Sequence, residues 1–271
     1  MIDNKLKSAI YGLAVADAVG VPYEFKMRGS FMATDMVGYG SHNQPKGTWS
    51  DDTSMTLATC DSIKECGCID TSDMLAKFKA WEHSGEYAID GRVFDIGCTT
   101  SAALYTGKGK DDERSNGNGS LMRIIPLAFT DASDDEIKAV SAITHAHDIS
   151  KAACVCYVHI ARALLRGEKL KDILESIESP FERLRAISTL GENEIKSGGY
   201  VVSTLEAALW AVSTTDNYRD AVLKAVNLGS DTDTVGAVAG GLAGIIYGLE
   251  GIPGEWLDSL KGKDIIENVL F

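Results

Sequence analysis

The feature that most constrains this chain is an acidic turn that runs directly into a segment of small apolar residues. Gly229-Ser230-Asp231-Thr232-Asp233-Thr234 places two carboxylates among hydroxyl side chains, and residues 235–249 then have the composition of a buried helix. The start of a helix favours anionic side chains, because its first N–H groups are unpaired and its dipole is positive there. A capping role explains one of these carboxylates, so the other requires a different role.

A second helix start of the same kind lies far upstream. Ser50-Asp51-Asp52-Thr53 precedes another helical pattern of apolar residues. If the two starts meet in the fold, four carboxylates converge. Helix dipoles supply only about half a charge each, so this convergence requires cations. Ligands made only of hard oxygen atoms favour magnesium or manganese.

Helical periodicity runs along the chain, and nothing alternates convincingly with a period of two. The 271 residues are 45% hydrophobic and contain no linker or low-complexity tract, which predicts one nearly all-helical domain over residues 1–271. Gly236, Gly240 and Gly244 form a stripe that indicates close packing between helices. Residues 27–49 lack periodic apolar positions and are predicted to form a long loop, of the kind that is usually functional or mobile.

Charge and composition restrict the partners and the compartment. The net charge of −13 argues against nucleic acid as the main partner, because a phosphate backbone calls for a basic surface. No segment has the roughly 20 apolar residues that cross a bilayer, and no signal-peptide core follows the charged N-terminal residues. The six cysteines show neither a CxxC pair nor a zinc spacing. We therefore expect a soluble cytoplasmic protein without a membrane partner.

Three more acids lie at or near predicted helix ends. Asp17 is in the first helix, and Glu24 lies just past that helix between Tyr23 and Phe25. An acid lodged between aromatic side chains is a candidate for function, although an ordinary loop position explains it equally well. Asp95 precedes another apolar helical segment, where capping is the simpler interpretation.

A glycine-rich turn is the candidate for ligand binding. Residues 116–123, Asn-Gly-Asn-Gly-Ser-Leu-Met-Arg, are predicted to lead into an apolar helix, and backbone N–H groups in such a turn can bind phosphate or ribose. The spacing matches neither a Walker loop nor GxGxxG. His145 and His147 are two residues apart, so on a helix they could not chelate one ion together, although either could contact a ligand.

Several motifs follow one another along nearly the whole chain. They are Gly12-Leu13-Ala14-Val15-Ala16-Asp17-Ala18-Val19-Gly20 with Glu24, Trp49-Ser50-Asp51-Asp52-Thr53, Asp95-Ile96-Gly97, Gly117-Asn118-Gly119-Ser120-Leu121-Met122-Arg123, Thr144-His145, Gly199-Tyr200-Val201-Val202, Gly229-Ser230-Asp231-Thr232-Asp233-Thr234, and Ile252-Pro253 with Trp256. Together these motifs resemble the ADP-ribosylglycohydrolases, whose bacterial type is the dinitrogenase reductase-activating glycohydrolase. So many motifs in one order are a specific signal.

The resemblance implies an all-α fold, a single-domain orthogonal helical bundle around a binuclear metal site that holds two Mg²⁺ or Mn²⁺ ions per chain. The implied metal ligands are Ser50, Asp51, Asp52, Asp231, Asp233 and Thr234. The implied substrate contacts are Asn118, Gly119, Ser120, Met122, His145, Gly199 and Tyr200. The implied catalytic residues are Asp52, Asp233, Glu24 and Asp95, with one of the first two as general base. Ser50 replaces the usual Thr, which keeps the hydroxyl oxygen but frees its rotamer.

The expected activity is metal-dependent hydrolysis of the glycosidic bond between ADP-ribose and a modified protein side chain, with arginine favoured by the Asp95-Ile96-Gly97 match. The enzyme is expected to be a monomer. Serine-linked ADP-ribose, an ADP-ribosylated small guanidine and O-acetyl-ADP-ribose remain alternative substrates, because the motifs bind the ADP-ribose half that all these substrates share. A catalytically silent ADP-ribose-binding protein is a third hypothesis. The intact acids argue against it, because a binder has no need for a cluster of like charges.

Overall fold

The structure is built from helices. The computed structural model describes residues 2–271, and within them the chain forms twelve α-helices and no β-strand, which confirms the all-α prediction. The α-helices are α1 Ile2–Gly20, α2 Asp51–Cys66, α3 Thr71–Ser84, α4 Cys98–Thr106, α5 Asp134–Ala142, α6 Asp148–Leu165, α7 Leu170–Ser176, α8 Val201–Ser213, α9 Tyr218–Val226, α10 Thr232–Tyr247, α11 Gly254–Ser259 and α12 Lys263–Val269. Short 3-10 helices form at Val21–Tyr23, Gly40–His42, Ile89–Gly91, Glu113–Ser115, Ile125–Phe129, Glu182–Thr189, Glu192–Glu194 and Leu249–Gly251.

One hydrophobic core extends from Leu6 to Val269 and connects all parts of the described chain. Met1, which the single-domain prediction over residues 1–271 includes, lies outside that description. None of the helices within residues 2–271 is both long and apolar enough to span a bilayer.

Helices α1 and α10 form the central pair of the fold, and their backbones touch. A Cβ atom added at Gly12 would collide with the carbonyl oxygen of Gly240, and one added at Gly244 would collide with the carbonyl oxygen of Ser8. At the far end of the same contact, a Cβ atom at Gly20 would collide with the Cα atom of Asp233. Glycine is needed at these positions because only its missing side chain permits such close approach. The interpretation of the glycine stripe as close helix packing therefore agrees with the structure.

The segment after the glycine-rich turn departs from the prediction. Residues 119–123 form turns, and Ile125–Phe129 form a 3-10 helix instead of the predicted apolar α-helix. Pro126 explains the difference, because its ring removes a backbone donor and clashes with the carbonyl of the preceding turn of an α-helix. The prediction of a helix here was wrong. The resulting turns bring residues 117–119 to the surface of a cavity.

Candidate active site

The two acidic helix starts meet at the centre of the fold. Ser50 caps α2, with its hydroxyl oxygen accepting a hydrogen bond from the N–H of Asp52 at 3.4 Å. Across the contact, the Thr234 hydroxyl of α10 donates to Oδ2 of Asp52 at 3.3 Å. Carboxylate oxygens of Asp17, Asp52 and Asp233 all lie within 4.8 Å of one another. The pairing of α2 with α10 therefore produces a buried cluster of carboxylates.

Each of the two central carboxylates has one oxygen held and one oxygen without a partner. Oδ2 of Asp52 accepts from the Ser50 hydroxyl at 2.9 Å, and Oδ1 of Asp233 accepts from the N–H of Thr234 at 3.0 Å. Among residues 2–271, Oδ1 of Asp52 and Oδ2 of Asp233 are buried and accept no hydrogen bond. A buried polar oxygen without a partner is rare and indicates an ion or a water. The donor set therefore fits a hard divalent cation.

The electrostatics of the cluster favour the same conclusion. Burial raises the pKa values of Asp51, Asp52 and Asp233 well above their usual range, and repulsion between neighbouring carboxylates raises them further. Both effects oppose the ionised form. A bound cation would reverse them, because its positive charge favours ionised carboxylates at close range.

Asp17 holds the start of α2 in place, a role that the sequence did not reveal. Its carboxylate accepts hydrogen bonds from the N–H of Ser50 at 3.0 Å, from the N–H of Thr53 at 3.1 Å and from the Thr53 hydroxyl at 2.6 Å. Burial raises its pKa to about 6, although these hydrogen bonds favour the ionised form. An ionisable residue in an otherwise apolar helix was the signal that could have identified it.

A second group of ligand atoms lies beside the first. Atoms of Glu24, His42, Asp95 and Asp233 are also within 4.8 Å of one another. The His42 ring is hydrogen-bonded to the Glu24 carboxylate and lies 5.1 Å, between ring centroids, from Phe94. Burial raises the pKa of Glu24 to about 7, opposed by the His42 hydrogen bond. No sequence signal pointed to His42, because it is a single histidine in a long loop.

An open cavity of about 390 Å³ lies above the carboxylates. Ten of the candidate residues line it: Glu24, Asp51, Asp95, Asn118, Gly119, Met122, His145, Gly199, Asp231 and Thr234. Ser50, Asp52 and Asp233 are not among its lining residues and are almost completely buried. A larger cavity of about 630 Å³ beside Phe129 holds one carboxylate and none of the candidate residues.

Two of the predicted substrate contacts do not line this cavity. Ser120 is fully buried, and its hydroxyl accepts a hydrogen bond from Ser141 at 3.0 Å. Tyr200 is about half exposed and lines a separate cavity that also includes Phe181. Any contact of Ser120 with a ligand must therefore come from its backbone or follow a rearrangement.

The glycine-rich turn connects the carboxylates to His145. Asn118 donates through Nδ2 to Oδ2 of Asp231 at 2.8 Å, which joins the turn to the start of α10. A Cβ atom at Gly119 would lie 2.8 Å from Oγ1 of Thr100 and 2.9 Å from Cε1 of His145. Burial lowers the pKa of His145 to about 3, so its imidazole is neutral at neutral pH.

The backbone is strained at three points around the acids. Phe25, Asp95 and Ser230 have φ values of 63°, 58° and 67°. These values lie in the left-handed region, which is uncommon for residues other than glycine and is often found at functional sites. Asp95 does not cap a helix, because α4 begins three residues after it, at Cys98, with Gly97 at the cap position. The capping interpretation of Asp95 was wrong.

Comparisons with known proteins agree with this architecture. A sequence profile of the ADP-ribosylglycohydrolase family matches residues 2–270. The chain is 36% identical to the ADP-ribosylarginine hydrolase Tri1 of Serratia proteamaculans, over 98% of this chain and 78% of that protein. It is 30% identical to the ADP-ribosyl-(dinitrogen reductase) glycohydrolase of Rhodospirillum rubrum, over 97% and 92% of the two chains. A solved structure described as an ADP-ribosylglycohydrolase-related protein complex matches with a TM-score of 0.82 and 32% identity, over 99% and 96% of the two chains.

The fold, the acid cluster and these matches define an enzyme that hydrolyses glycosyl bonds. The chain belongs to the ADP-ribosylglycohydrolase family. The resemblance found in the sequence is therefore confirmed, and the activity is that of an ADP-ribosyl glycohydrolase.

Proposed function

We propose that this enzyme is a metal-dependent hydrolase that releases ADP-ribose from modified arginine side chains of proteins. The observation that carries the proposal is the pair of buried oxygens without partners, Oδ1 of Asp52 and Oδ2 of Asp233. Their chain neighbours Asp51 and Thr234 line the cavity of about 390 Å³. The arginine linkage is supported by the similarity to a relative named ADP-ribosylarginine hydrolase.

The acidic helix starts would hold two Mg²⁺ or Mn²⁺ ions. The ligands would be Ser50, Asp51, Asp52, Asp231, Asp233 and Thr234, a set made only of oxygen donors. When bound, the ions would orient the ribose hydroxyls and lower the pKa of a bound water. The clustering of Asp17, Asp52 and Asp233 supports this assignment, because such a group of like charges needs positive charge nearby.

The residues of the chain would perform the remaining steps. Cleavage at the anomeric carbon develops positive charge on the ribose, which the surrounding carboxylates would stabilise. Asp52 or Asp233 would accept the proton of the attacking water, since each has one oxygen free of hydrogen bonds. Glu24 and Asp95 line the cavity and would position the ribose or control access to the site.

The substrate half of the site would recognise ADP-ribose. The backbone of the turn at Asn118 and Gly119 would approach the ribose or the phosphates, with Met122, neutral His145 and Gly199 along the same cavity. Ser120 and Tyr200 do not line this cavity, so any contact that they make with the substrate would lie outside it. We further propose that the enzyme acts as a monomer in the cytoplasm on an ADP-ribosylated protein.

Release of ADP-ribose from matched substrates tests the proposal. Peptides of one sequence, modified at arginine or at serine, and O-acetyl-ADP-ribose would be incubated with the enzyme and Mg²⁺. We expect the arginine-linked peptide to be hydrolysed fastest. Faster release from serine or from the acetyl ester would favour the alternative substrates. Tight binding of ADP-ribose without any release would identify a silent binding protein.

A further inference from the structure

Exposed apolar side chains are concentrated in one loop beside the active site. Of the seven large hydrophobic residues that are exposed among the described side chains, five lie in residues 25–39, which we call the rim loop: Phe25, Met27, Val37 and Tyr39, together with Met32. Phe25, Met27 and Met32 are each more than 70% exposed. Scattered exposed apolar residues need no explanation, but a concentration at one place marks an interaction surface.

The rim loop is held firmly in place, although its apolar side chains point to solvent. The Arg28 guanidinium donates to the carbonyl oxygens of Leu228, Glu192 and Ile195 at 2.6 to 2.9 Å. The Asn227 side chain accepts from the N–H of Ala33 at 2.7 Å and donates to its carbonyl oxygen at 2.9 Å. A surface that is fixed before binding loses little conformational entropy when a partner docks.

The rim loop is continuous with the catalytic cavity. Phe25 lines that cavity and is 71% exposed, so its ring belongs to both surfaces. The N–H of Phe25 donates to the carbonyl oxygen of Ser230 at 2.7 Å, which joins the loop to the acidic start of α10. A polypeptide whose modified side chain enters the cavity must leave it across the rim, and this loop forms part of that rim.

We propose that the rim loop is the docking surface for the polypeptide that carries the modification, and that it prefers apolar side chains beside the modified residue. This inference rests on the proposed function. Aromatic and methionine side chains are enriched in protein interfaces, and methionine adapts to partners of different shape. The partner is therefore recognised by apolar contact outside the cavity, whereas ADP-ribose is recognised within it.

Two peptides with a single ADP-ribosylated arginine test the proposal, one with leucine and phenylalanine beside the arginine and one with serine and glycine. Free ADP-ribosylarginine is the third substrate. We expect the wild-type enzyme to favour the apolar peptide by about tenfold in kcat/KM. The Met27→Ser/Met32→Ser variant should lose that preference and hydrolyse ADP-ribosylarginine at the wild-type rate, because neither methionine lines the cavity. Tyr105→Ser is the matched control, since Tyr105 is 89% exposed on α4, outside the loop, and should keep the preference.

The outcomes separate this inference from the proposed function. Hydrolysis of all three substrates without a preference, or a preference that survives the double substitution, would overturn the docking surface alone. Failure to hydrolyse any of them would overturn both proposals. Sedimentation of the same variants tests self-association: a wild-type dimer that the double substitution converts to a monomer would assign the loop to a second copy of this chain and overturn the inference.

Discussion

The carboxylates of Asp52 and Asp233 share one arrangement. In each, a hydroxyl or backbone donor holds one oxygen, and the other oxygen accepts no hydrogen bond among residues 2–271. The hydrogen bonds to the fixed oxygen orient the carboxylate. This arrangement leaves one oxygen of each acid available to a cation, which would favour the ionised form that burial opposes. It also predicts that these two residues differ in their behaviour from Asp231, whose Oδ2 already accepts from Asn118.

Replacement of Asp233 tests its role as a base. Asp233→Asn keeps the size and one oxygen but removes the charge, so we expect a folded protein that still binds ADP-ribose and turns over roughly 10² to 10⁴ times more slowly. Turnover measured against Mn²⁺ concentration separates two causes. Rescue at saturating metal indicates lost metal affinity, whereas a persistently low rate indicates a lost base.

Asp231→Asn is the matched comparison. We expect saturating metal to rescue it, because we assign Asp231 to coordination alone. Wild-type turnover by Asp233→Asn without added metal would remove Asp233 from the mechanism.

The glycine-rich turn makes a separate prediction about binding. Gly119→Val places a branched side chain where a Cβ atom would already lie within 3 Å of Thr100 and His145, so the cavity wall must shift. We expect calorimetry to show ADP-ribose binding weakened by about tenfold or more, with the circular dichroism spectrum unchanged. Unchanged affinity would mean that this turn does not contact the ligand.

At the level of elements, the site depends on how closely α1 and α10 approach. Their glycine contact ends at Gly20 and Asp233, so the distance between these helices positions a central acid. Asp17, on the same helix α1, fixes the start of α2 through three of its donors. The packing of α1 thus positions both acidic helix starts.

A methyl group in this contact should be destabilising. Gly240→Ala places Cβ against the carbonyl oxygen of Gly12, and overpacking of this kind costs about 1 to 3 kcal/mol of unfolding free energy. Denaturant unfolding would measure the loss. Gly254→Ala is the control, since its added Cβ would meet no atom within 4 Å from other parts of residues 2–271, and its stability should stay close to that of the wild type. Equal stabilities of the two variants would contradict the close packing.

Much of the arrangement of the helices could be predicted from the sequence. The two segments rich in Ser, Asp and Thr indicated two acidic helix starts, which meet in the structure. The spacing of the glycines indicated the face of α10 that packs against α1. The 3-10 helix after residue 124 was missed although the sequence carried its signal, Pro126 within an apolar run. The hydrogen bond between His42 and Glu24 could not be predicted, because it joins residues 18 apart outside the α-helices.

For the whole molecule, the buried acids make stability depend on metal. In the metal-free protein their desolvation and mutual repulsion are uncompensated, whereas a ligand at one hundred times its Kd stabilises the native state by about 2.7 kcal/mol. We expect saturating Mg²⁺ or Mn²⁺ to raise Tm by roughly 5 °C over the EDTA-treated protein, as measured by calorimetry. The Asp52→Asn/Asp233→Asn variant is the control and should show little of this shift. The same shift in both proteins would place the stabilising metal elsewhere.

We propose that the carboxylate cluster binds the metal on which glycosidic hydrolysis depends. The most direct measurement is the release of ADP-ribose from ADP-ribosylarginine by exhaustively chelated enzyme, before and after addition of Mg²⁺ or Mn²⁺. We expect chelation to abolish release and either ion to restore it. We expect Zn²⁺ not to replace them, because the six proposed ligands include no cysteine or histidine. Full release by the chelated enzyme would contradict metal-dependent hydrolysis.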